Sequence, residues 1–506
     1  MRRPLALALC LALCLTLTAC WEAEANETPE FWEEEPALPE PVAAPDPLPD
    51  AFTLPFLSSQ TFDPVLCSDG VQQTVGSLLY EGLYTLDDTF TPQPLLCASC
   101  RVSSNGLTYT LALRDGIVFS NGAALTAADV LATYRRAQAS ERFSARFANV
   151  ASMRVNRGAL VVTLRQADSA FPALLDIPIV KSGTEKDTVP LGTGPYLFVT
   201  DSDGPCLARN ENWWRGGDAL PERIRLEPAK DADSAVYLFS AGRAHLLVAD
   251  LLGETPAAAL GGVDMADAPS TALLFLGCNT KRRALADSAL RVAIGAAFDR
   301  DAIVDTLLAG HADAARFPIS PLSPLYPAEL DTPYDSAAYP DALGIGSEGE
   351  PLELTLLVNA ENSFKASLAA HLAKQLSVGP VAVTPVELPW TEYLAALESG
   401  DFDLWLGEVR LTADWDVTSL VGSDGALNYG KYASAATDAA LKAFLKDENE
   451  ATAAALCEQL AADAPILPIA FKTLTALTPE GMIEGLSPTA AQPLRGCESW
   501  TIRFPD

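Results

Sequence analysis

Histidine and positive charge are both scarce in this sequence. The 506 residues include 3 histidines, and 34 lysines and arginines stand against 66 aspartates and glutamates, so the formal net charge is −32. An acidic surface of this kind repels the phosphates of nucleic acids and of anionic lipid headgroups, which excludes both as ligands. His245, His311 and His371 are far apart along the chain, so we expect no metal site.

Signatures of common enzyme classes are missing as well. The sequence contains no HExxH, Walker A or GxSxG motif and no recognisable set of nucleophile and base. Gly344–Gly349 fits the GxGxxG pattern, but a dinucleotide-binding motif must follow a strand and open a helix. Here the pattern precedes the strand-like run Leu352–Val358, and Pro351 stands between them. The sequence therefore predicts a protein that is not an enzyme and needs no cofactor.

The N-terminus has the pattern of a secretory signal. Arg2-Arg3 precedes an uncharged apolar run, Leu5–Leu17, which is too short for a stable membrane span. The run ends in Leu17-Thr-Ala-Cys20, which resembles the bacterial lipobox, where the cysteine becomes the diacylated first residue. We expect residues 1–20 to be a signal peptide and Cys20 to anchor the protein to the extracytoplasmic face of the cell membrane. The alternative is an ordinary signal peptide with a chance cysteine.

Residues 21–50 are rich in glutamate and proline and lack lysine and arginine. They show no apolar periodicity, so they cannot bury a core, and proline keeps them extended. We predict an acidic tether that lifts the folded body off the membrane. The lipid is then the only attachment to the membrane.

Cysteine usage leaves open how the thiols are paired. Of 10 cysteines, two lie in the signal and Cys20 carries lipid, which leaves seven. An odd number leaves at least one thiol unpaired. Cys97-Ala-Ser-Cys100 has CxxC spacing, but no second pair and no histidine is close in sequence. A structural disulfide or two free buried thiols are favoured over zinc binding or redox catalysis.

Hydrophobic periodicity predicts alternating helices and strands over the rest of the chain. Thr126-Ala-Ala-Asp129 has the form of a capping box, and Asp287 stands as N-cap before an apolar helical face. Strands and helices alternate through 351–410, which indicates α/β layers. The predicted helices are 72–84, one from 126 onward, 288–298, 299–310, and 391–399 closed by Gly400; the predicted strands are 108–113 and 352–358.

The stretch Asp401–Asp416 combines a strand pattern with a polar loop. Apolar residues alternate from Phe402 to Leu406, as in a strand buried on one face. Asp414-Trp415-Asp416 follows just beyond the strand end, and ligands in open α/β sheets bind outside the carboxyl ends of strands. The alternative is a polar loop in which Asp416 caps the next helix.

Six further blocks follow one another in a recognisable order: Leu78–Asp87, Asn105–Val130, Gly192–Tyr196, Asn210–Trp214, Asp287–Arg300 and Asp463–Pro468. Together they place the match over roughly residues 60 to 505. In this order they resemble the bacterial extracellular solute-binding proteins of family 5, the lipoproteins of peptide and nickel ABC importers, including oligopeptide- and dipeptide-binding proteins. Six ordered blocks are more specific than any single motif.

The resemblance implies an α/β fold with two lobes, of the type II periplasmic-binding-protein kind in the large cluster that carries an extra subdomain. Mixed sheets with flanking helices and a two-segment hinge are expected. The implied crossings lie near Gly192–Tyr196 and Pro269–Leu276. The implied division is lobe I at 51–84, 189–270 and 476–506, the subdomain at 85–188 and lobe II at 271–475.

The resemblance also implies a function. A monomeric substrate-binding lipoprotein would capture a peptide between two closing lobes and deliver it to the permease and ATPase subunits of an ABC importer. One alternative is the same fold binding a metal chelate, opine, sugar or cationic organic solute. Another is a sensor lipoprotein without its own transporter.

The resemblance assigns site residues to both lobes. In oligopeptide binders of the family, an aspartate after a Gly-Trp-x-Ala segment pairs with the peptide α-amino group, and that pattern falls on Asp414. Trp415 replaces the usual tyrosine, Asp416 is a second acid, Thr412 lies in the same segment, and Arg410-Leu411 replaces Gly-Trp. The departure at Gly-Trp implies a different pocket backbone. Arg410 either meets a ligand carboxylate or pairs with a neighbouring acid.

Two further expectations concern the mode of binding. Ser68, Asp69 and Gly70 fall where the first lobe of such proteins offers backbone groups to an extended ligand by strand addition. Trp415 beside two acids would also suit a cationic organic ligand through a cation–π contact.

Overall fold

The computed structural model describes four stretches of the chain, residues 51–216, 221–253, 261–343 and 351–504. The predicted signal peptide with Cys20, the tether at 21–50 and the GxGxxG pattern at 344–349 lie outside the described residues. Within these stretches, we find no helix with both the length and the apolar character needed to cross a membrane.

Strands and mostly short helices alternate along these stretches. The strands are β1 (Thr53–Leu57), β2 (Tyr84–Leu86), β3 (Pro92–Pro94), β4 (Cys97–Val102), β5 (Thr108–Leu113), β6 (Val150–Asn156), β7 (Ala159–Leu164), β8 (Tyr196–Asp201), β9 (Gly204–Arg209), β10 (Arg223–Ala229), β11 (Leu247–Ala249), β12 (Val263–Cys278), β13 (Ala312–Ala314), β14 (Leu352–Asn359), β15 (Val381–Leu388), β16 (Leu404–Arg410), β17 (Ile466–Pro479), β18 (Ile483–Glu484) and β19 (Thr501–Ile502). The α-helices are α1 (Gly70–Gly76), α2 (Ala127–Gln138), α3 (Ala232–Ser240), α4 (Ser288–Gly295), α5 (Arg300–Thr306), α6 (Ala338–Ala342), α7 (Ser363–Leu376), α8 (Trp390–Ser399), α9 (Thr418–Val421), α10 (Ala435–Lys446) and α11 (Glu450–Asp463).

Three sheets organise the fold. The first lobe is built on a four-stranded sheet with the order β1-β10-β9-β8, against which α1 and α3 pack. The subdomain is the antiparallel sheet β4-β5-β7-β6 with α2 on one face. The second lobe is built on the largest sheet, with the order β11-β17-β12-β16-β14-β15, and carries α4 to α11.

Two long strands pass from the first lobe to the second. β12 has 16 residues and β17 has 14, and the two pair antiparallel. At one end Leu477 packs in the core that contains Leu57 of β1 and Leu238 of α3. At the other end Leu276 and Ile469 are buried in the core shared with α4 and α7. β12 and β17 are therefore the two connecting segments that the predicted fold requires.

The segment Gly192–Tyr196 is not a connection between the lobes, so that part of the prediction was wrong. The N–H of Tyr196 donates to the carbonyl of Leu78 at 3.0 Å. An added Cβ at Gly192 would lie 2.0 Å from the carbonyl oxygen of Leu79, so this close approach requires glycine. The segment links the subdomain to the first-lobe sheet.

Local signals placed several helix ends correctly. Asp129 accepts hydrogen bonds from the N–H (3.0 Å) and the hydroxyl (2.6 Å) of Thr126 at the start of α2. Asp287 accepts from the N–H of Ala289 at 2.9 Å and begins α4. Gly400 ends α8 with a φ of 74°, a left-handed conformation that glycine adopts without strain.

Three helices are shorter than predicted. α4 ends at Gly295, three residues before the predicted end at residue 298. α1 ends at Gly76 rather than near residue 84, because the carbonyls of Leu78 and Leu79 accept hydrogen bonds from the segment Gly192–Tyr196 instead of from the next helical turn. A tertiary contact thus overrides a local apolar period. α5 likewise ends at Thr306, four residues before the predicted Gly310.

All seven cysteines within the described residues are free thiols, and six of them are buried. Burial raises the pKa of the Cys97 thiol and of the Cys100 thiol, which disfavours the reactive thiolate. Of the two arrangements that the sequence left open, the structure has the free thiols and not the disulfide, with Cys97 buried and Cys100 half-buried.

Candidate ligand site

The central strand β16 carries the candidate site at its carboxyl end. β16 lies between β12 and β14, and Leu404, Trp405 and Leu406 are all buried. The strand is therefore buried on both faces rather than on one, as the sequence had suggested, because both of its edges and both of its faces are covered. An added Cβ at Gly407 would lie 2.6 Å from the ring of Phe275, so this packing excludes a larger residue.

Asp414 is the most deeply buried carboxylate of the loop that follows β16. Only 4% of the residue is exposed. The hydroxyl of Thr412 donates to Oδ1, and the N–H of Asp416 donates to the same oxygen at 3.3 Å. Within the described residues, Asp414 forms no ion pair with a lysine or arginine. Burial raises the pKa of the Asp414 carboxyl to about 6, and the negative charge of Asp416 adds to the shift.

Trp415 faces the hydrophobic core rather than the ligand site. The residue is 2% exposed, and its indole contacts Phe90 (centroids 5.2 Å apart) and Phe471 (5.7 Å), both edge to face. Its φ of 52° lies in the left-handed region, which is uncommon for a residue with a bulky side chain. The expected cation–π contact between Trp415 and a ligand is therefore wrong for this arrangement.

Asp416 stabilises the start of the next helix. Its carboxylate accepts a hydrogen bond from the N–H of Thr418 at 2.8 Å, just where α9 begins. The N-cap of α9 is Val417, which has no side-chain capping bond, so Asp416 is not the helix cap that the sequence offered as an alternative. Its bond closes a turn just before the helix. The Asp416 carboxylate remains partly exposed. Its negative charge raises the pKa of the Asp414 carboxyl.

Two acids that sequence reasoning missed complete a cluster around Asp414. Burial, followed by the charge of Asp414, raises the pKa of Asp168 to about 7. Burial and the charges of Asp414 and Asp168 raise the pKa of Glu448 to about 8. Oε1 of Glu448 is buried and has no hydrogen-bond partner among the described residues. We call Asp168, Asp414, Asp416 and Glu448 the acidic cluster.

The acidic cluster joins the subdomain to the second lobe. Asp168 follows β7, whereas Glu448 lies between α10 and α11. The N–H of Ser169 donates to the carbonyl of Leu445 at 3.1 Å, and the N–H of Glu448 donates to the hydroxyl of Ser169 at 2.7 Å. Nothing in the local sequence of either acid signals this encounter, because it depends on how the two parts pack.

Arg410, at the start of the loop that carries Asp414, supplies positive charge. Arg410 ends β16, is exposed, and forms no ion pair within the described residues, which leaves the expected pairing with a neighbouring acid unsupported. Arg142 donates to the carbonyls of Pro64 and Cys67 and, at 2.9 Å, to Oε1 of Gln73. Burial lowers the pKa of Arg142, and the charges of Arg146 and then Arg410 lower it further. Guanidinium groups from the subdomain and from β16 of the second lobe therefore repel one another in this region.

Ser68, Asp69 and Gly70 lie next to this positive region but do not form a strand edge. Asp69 is the N-cap of α1 and accepts from the N–H groups of Val71 (2.9 Å) and Gln72 (3.2 Å). Gly70 is the first residue of that helix, so strand addition along this stretch is wrong. Ser68 and Gly70 are exposed, and their contact with a ligand stays a prediction.

Metal ligation has no visible basis in this region. Among the residues that the structure describes, no group of three or more histidine, cysteine, aspartate or glutamate side chains is arranged to hold a metal ion. The carboxylates of the acidic cluster are poorly compensated by positive charge. An ammonium group or another cation bound there would stabilise their charged form.

Comparison with known proteins identifies the family. The family model described as bacterial extracellular solute-binding proteins, family 5 Middle, matches residues 91–427. The glutathione-binding protein GsiB of Salmonella typhimurium is 26% identical over 422 residues, which are 77% of this chain and 81% of GsiB.

Solved structures share the fold. The oligopeptide-binding protein AppA from Bacillus subtilis, in complex with a nonapeptide, has a TM-score of 0.62 at 20% identity and covers 90% of this chain and 99% of its own. NikZ from Campylobacter jejuni, in complex with Ni(L-His), has a TM-score of 0.64 at 20% identity and covers 89% and 99%. These likenesses confirm the predicted two-lobed type II fold. The relatives are solute-binding proteins rather than enzymes, and the family is extracellular. The chain therefore belongs to the bacterial extracellular solute-binding proteins of family 5, the substrate-binding components of ABC importers.

Proposed function

We propose that this protein captures a short peptide between its two lobes and delivers it to an ABC permease, with the peptide's α-ammonium group bound at Asp414. The observation that carries the proposal is the buried Asp414 carboxylate, which forms no ion pair within the described residues and whose pKa is raised by burial despite the charge of Arg146. A desolvated ammonium group needs a negatively charged hydrogen-bond acceptor, and a buried carboxylate needs a positively charged hydrogen-bond donor. Each therefore offsets the desolvation cost of the other.

The opposite end of the peptide meets positive charge in this proposal. Arg410, four residues before Asp414, is free to bind the terminal carboxylate, and Arg142 adds a second guanidinium nearby. In the proposal the peptide contacts Ser68 and Gly70, which are exposed, and Thr412 and Asp69, which are half-buried. Four residues span at most about 14 Å, so an extended ligand of roughly two to four residues fits between the charges.

The relatives support a peptide as the ligand class. GsiB is a glutathione-binding protein and AppA holds a nonapeptide. A cationic solute that is not a peptide is the second candidate, because the acidic cluster would neutralise any desolvated cation. The two candidates differ in whether a free α-ammonium group is required.

The moving parts and the anchor complete the proposal. Lobe I (51–84, 189–270 and 476–506) with its subdomain (85–188) closes against lobe II (271–475), and the monomer is tethered through lipid on Cys20 by residues 21–50. The Leu-Thr-Ala-Cys ending of the apolar run supports this anchor.

Ligand identification tests the proposal directly. Native mass spectrometry of the purified protein should reveal a retained ligand with the mass of a short peptide. Calorimetric titration with tri-alanine and with N-acetyl-tri-alanine then separates the candidates. We expect binding of the free amine and loss of at least about tenfold in affinity on acetylation. Equal affinity for both compounds would refute the amine site, and retention of a non-peptide cation would favour the second candidate.

A further inference from the structure

β12 carries a two-residue irregularity where it passes from the first lobe to the second. Pro269 pairs with Thr473 of β17, and the next paired residue on β12 is Ala272, opposite Lys472. Ser270 and Thr271 therefore have no partner on β17. A bulge of this kind interrupts the ladder of hydrogen bonds and bends the strand.

Ser270 closes the bulge on the side of β17. Its hydroxyl donates to the carbonyl of Lys472 at 2.5 Å and accepts from the N–H of Ala272 at 3.1 Å. The residue is 4% exposed. The Ser270 hydroxyl thus replaces the missing backbone pairing. Because the hydroxyl hydrogen can rotate, the hydrogen bond to Lys472 can persist through a small bend of the strand.

Thr271 reaches the opposite neighbour, β16. Its hydroxyl donates to the carbonyl of Leu411 at 2.6 Å, and the N–H of Leu411 donates to the carbonyl of Thr271 at 2.9 Å. Leu411 is the first residue after β16 and lies three residues before Asp414. The start of the ligand loop is therefore attached to the bulge by two hydrogen bonds.

Lys472 ties the same position to both lobes. Its ammonium group binds Asp250, which follows β11, and lies 3.3 Å from Oε1 of Glu408 on β16. Lys472 is 3% exposed. A second, shorter register shift lies between Leu274 and Phe275, where Ile469 of β17 has no partner on β12. The two-residue interruption at Ser270 and Thr271 is the longer of the two and lies where β12 passes between the lobes, so we place the bending there.

We infer that the Ser270–Thr271 bulge is the pivot of lobe closure and that Thr271 is a positioning residue, which holds the Asp414 loop to that pivot. The inference rests on the proposed ligand site at Asp414. Closing the lobes turns β12 at the bulge, and the hydrogen bonds of Thr271 carry Leu411, and with it Asp414, toward the ligand. Ligand bound at Asp414 stabilises the closed arrangement by the same route.

Three variants test the role of Thr271. Thr271→Val removes the hydroxyl and keeps the shape, Thr271→Ser keeps the hydroxyl, and Thr280→Val is the matched control. The Thr280 hydroxyl also donates to a backbone carbonyl, that of Gly430 at 3.0 Å, but away from the bulge. We expect Thr271→Val to weaken tri-alanine binding about tenfold, the value of one hydrogen bond. Thr271→Ser should stay within about twofold of the wild type, as should Thr280→Val.

A double-mutant cycle distinguishes positioning from a general structural role. If Thr271 acts through Asp414, the losses from Thr271→Val and Asp414→Asn are not additive, because the second change removes the group that the first misplaces. Additive losses, or an equal loss in Thr280→Val, would overturn the inference.

Amide hydrogen exchange in the ligand-free protein tests the role of Thr271 without any ligand. Thr271→Val should raise the exchange rate of residues 411–416 by about tenfold, whereas Thr280→Val should not. Unchanged exchange would overturn the inference by itself. Faster exchange in a protein that binds no peptide would instead refute the proposed function and leave the role of Thr271 standing.

Discussion

The charge of Asp414 raises the pKa of Asp168, although Asp168 follows β7 of the subdomain and Asp414 follows β16 of the second lobe. Their repulsion is therefore a consequence of bringing the two parts together. Glu448 adds a third acid, whose pKa is raised by burial and then by the charges of Asp414 and Asp168. A bound cation relieves this repulsion, which gives closure a physical reason to depend on ligand.

Stability of the ligand-free protein should fall as pH rises. The pKa values of Asp414 (about 6), Asp168 (about 7) and Glu448 (about 8) lie above the ordinary 3.8, 3.8 and 4.5. The folded state therefore binds more protons than the unfolded state from about pH 4 to 8, and its free energy of unfolding decreases over that window. Urea unfolding at a series of pH values measures the slope.

The variant Asp414→Asn isolates the contribution of the acidic cluster to that slope. Between pH 4.5 and 8.5 the wild type should lose about 2 kcal/mol more than Asp414→Asn. Asp401→Asn, at a carboxylate whose side chain is 86% exposed, serves as the control and should follow the wild type. Parallel curves for all three proteins would contradict the burial of charge at Asp414.

Replacing Asp414 by asparagine should also damage ligand binding. The change keeps the shape and removes the charge that pairs with the ammonium group. Breaking one side of a buried ion pair costs about 3–5 kcal/mol, which corresponds to about two to three orders of magnitude in affinity. Calorimetric titration of tri-alanine into the variant measures the loss.

Asp416→Asn is the matched control for that titration. Because Asp416 accepts one hydrogen bond, from the N–H of Thr418 at the start of α9, we expect a loss of stability on the order of 1 kcal/mol and little change in affinity. If Asp416→Asn were the more damaging variant, the amine-binding position would be shifted by two residues. Wild-type affinity in Asp414→Asn would remove the amine site altogether.

Lobe closure should be visible in solution. Small-angle scattering at saturating tri-alanine should give a smaller radius of gyration than the ligand-free protein, since the lobes approach on binding. Asp414→Asn at the same peptide concentration should show less compaction. An unchanged radius in the wild type would argue for a rigid scaffold.

The anchor has its own test. Cys20→Ser should release the protein into the medium or leave it unprocessed, because the acidic tether cannot bind an anionic membrane. Membrane fractionation and labelling with a fatty acid measure the outcome. Unchanged fractionation and labelling in the variant would show that Cys20 is not the lipid attachment site.

Sequence reasoning succeeded where the interactions are local. Asp287 and Gly400 mark helix ends through bonds to residues within a few positions, so their spacing alone predicts them. Asp414 could be placed beyond a strand end for the same reason. Glu448 and Asp168 could not, because only the packing of the subdomain against the second lobe brings them together. The side chain of Trp415 was misplaced because its contact with Phe90, far away in the sequence, appears only once the chain is folded.

Ser169 has a kinetic consequence for ligand entry. Its hydrogen bonds to Leu445 and Glu448 join the two sides of the acidic cluster. A peptide that enters between these two sides therefore needs both bonds broken. Opening then precedes encounter, as in conformational selection. In stopped-flow mixing, the observed association rate should level off at high peptide concentration at the rate of opening. Ser169 would then help to set how fast the importer can be loaded, independently of how tightly the peptide is held.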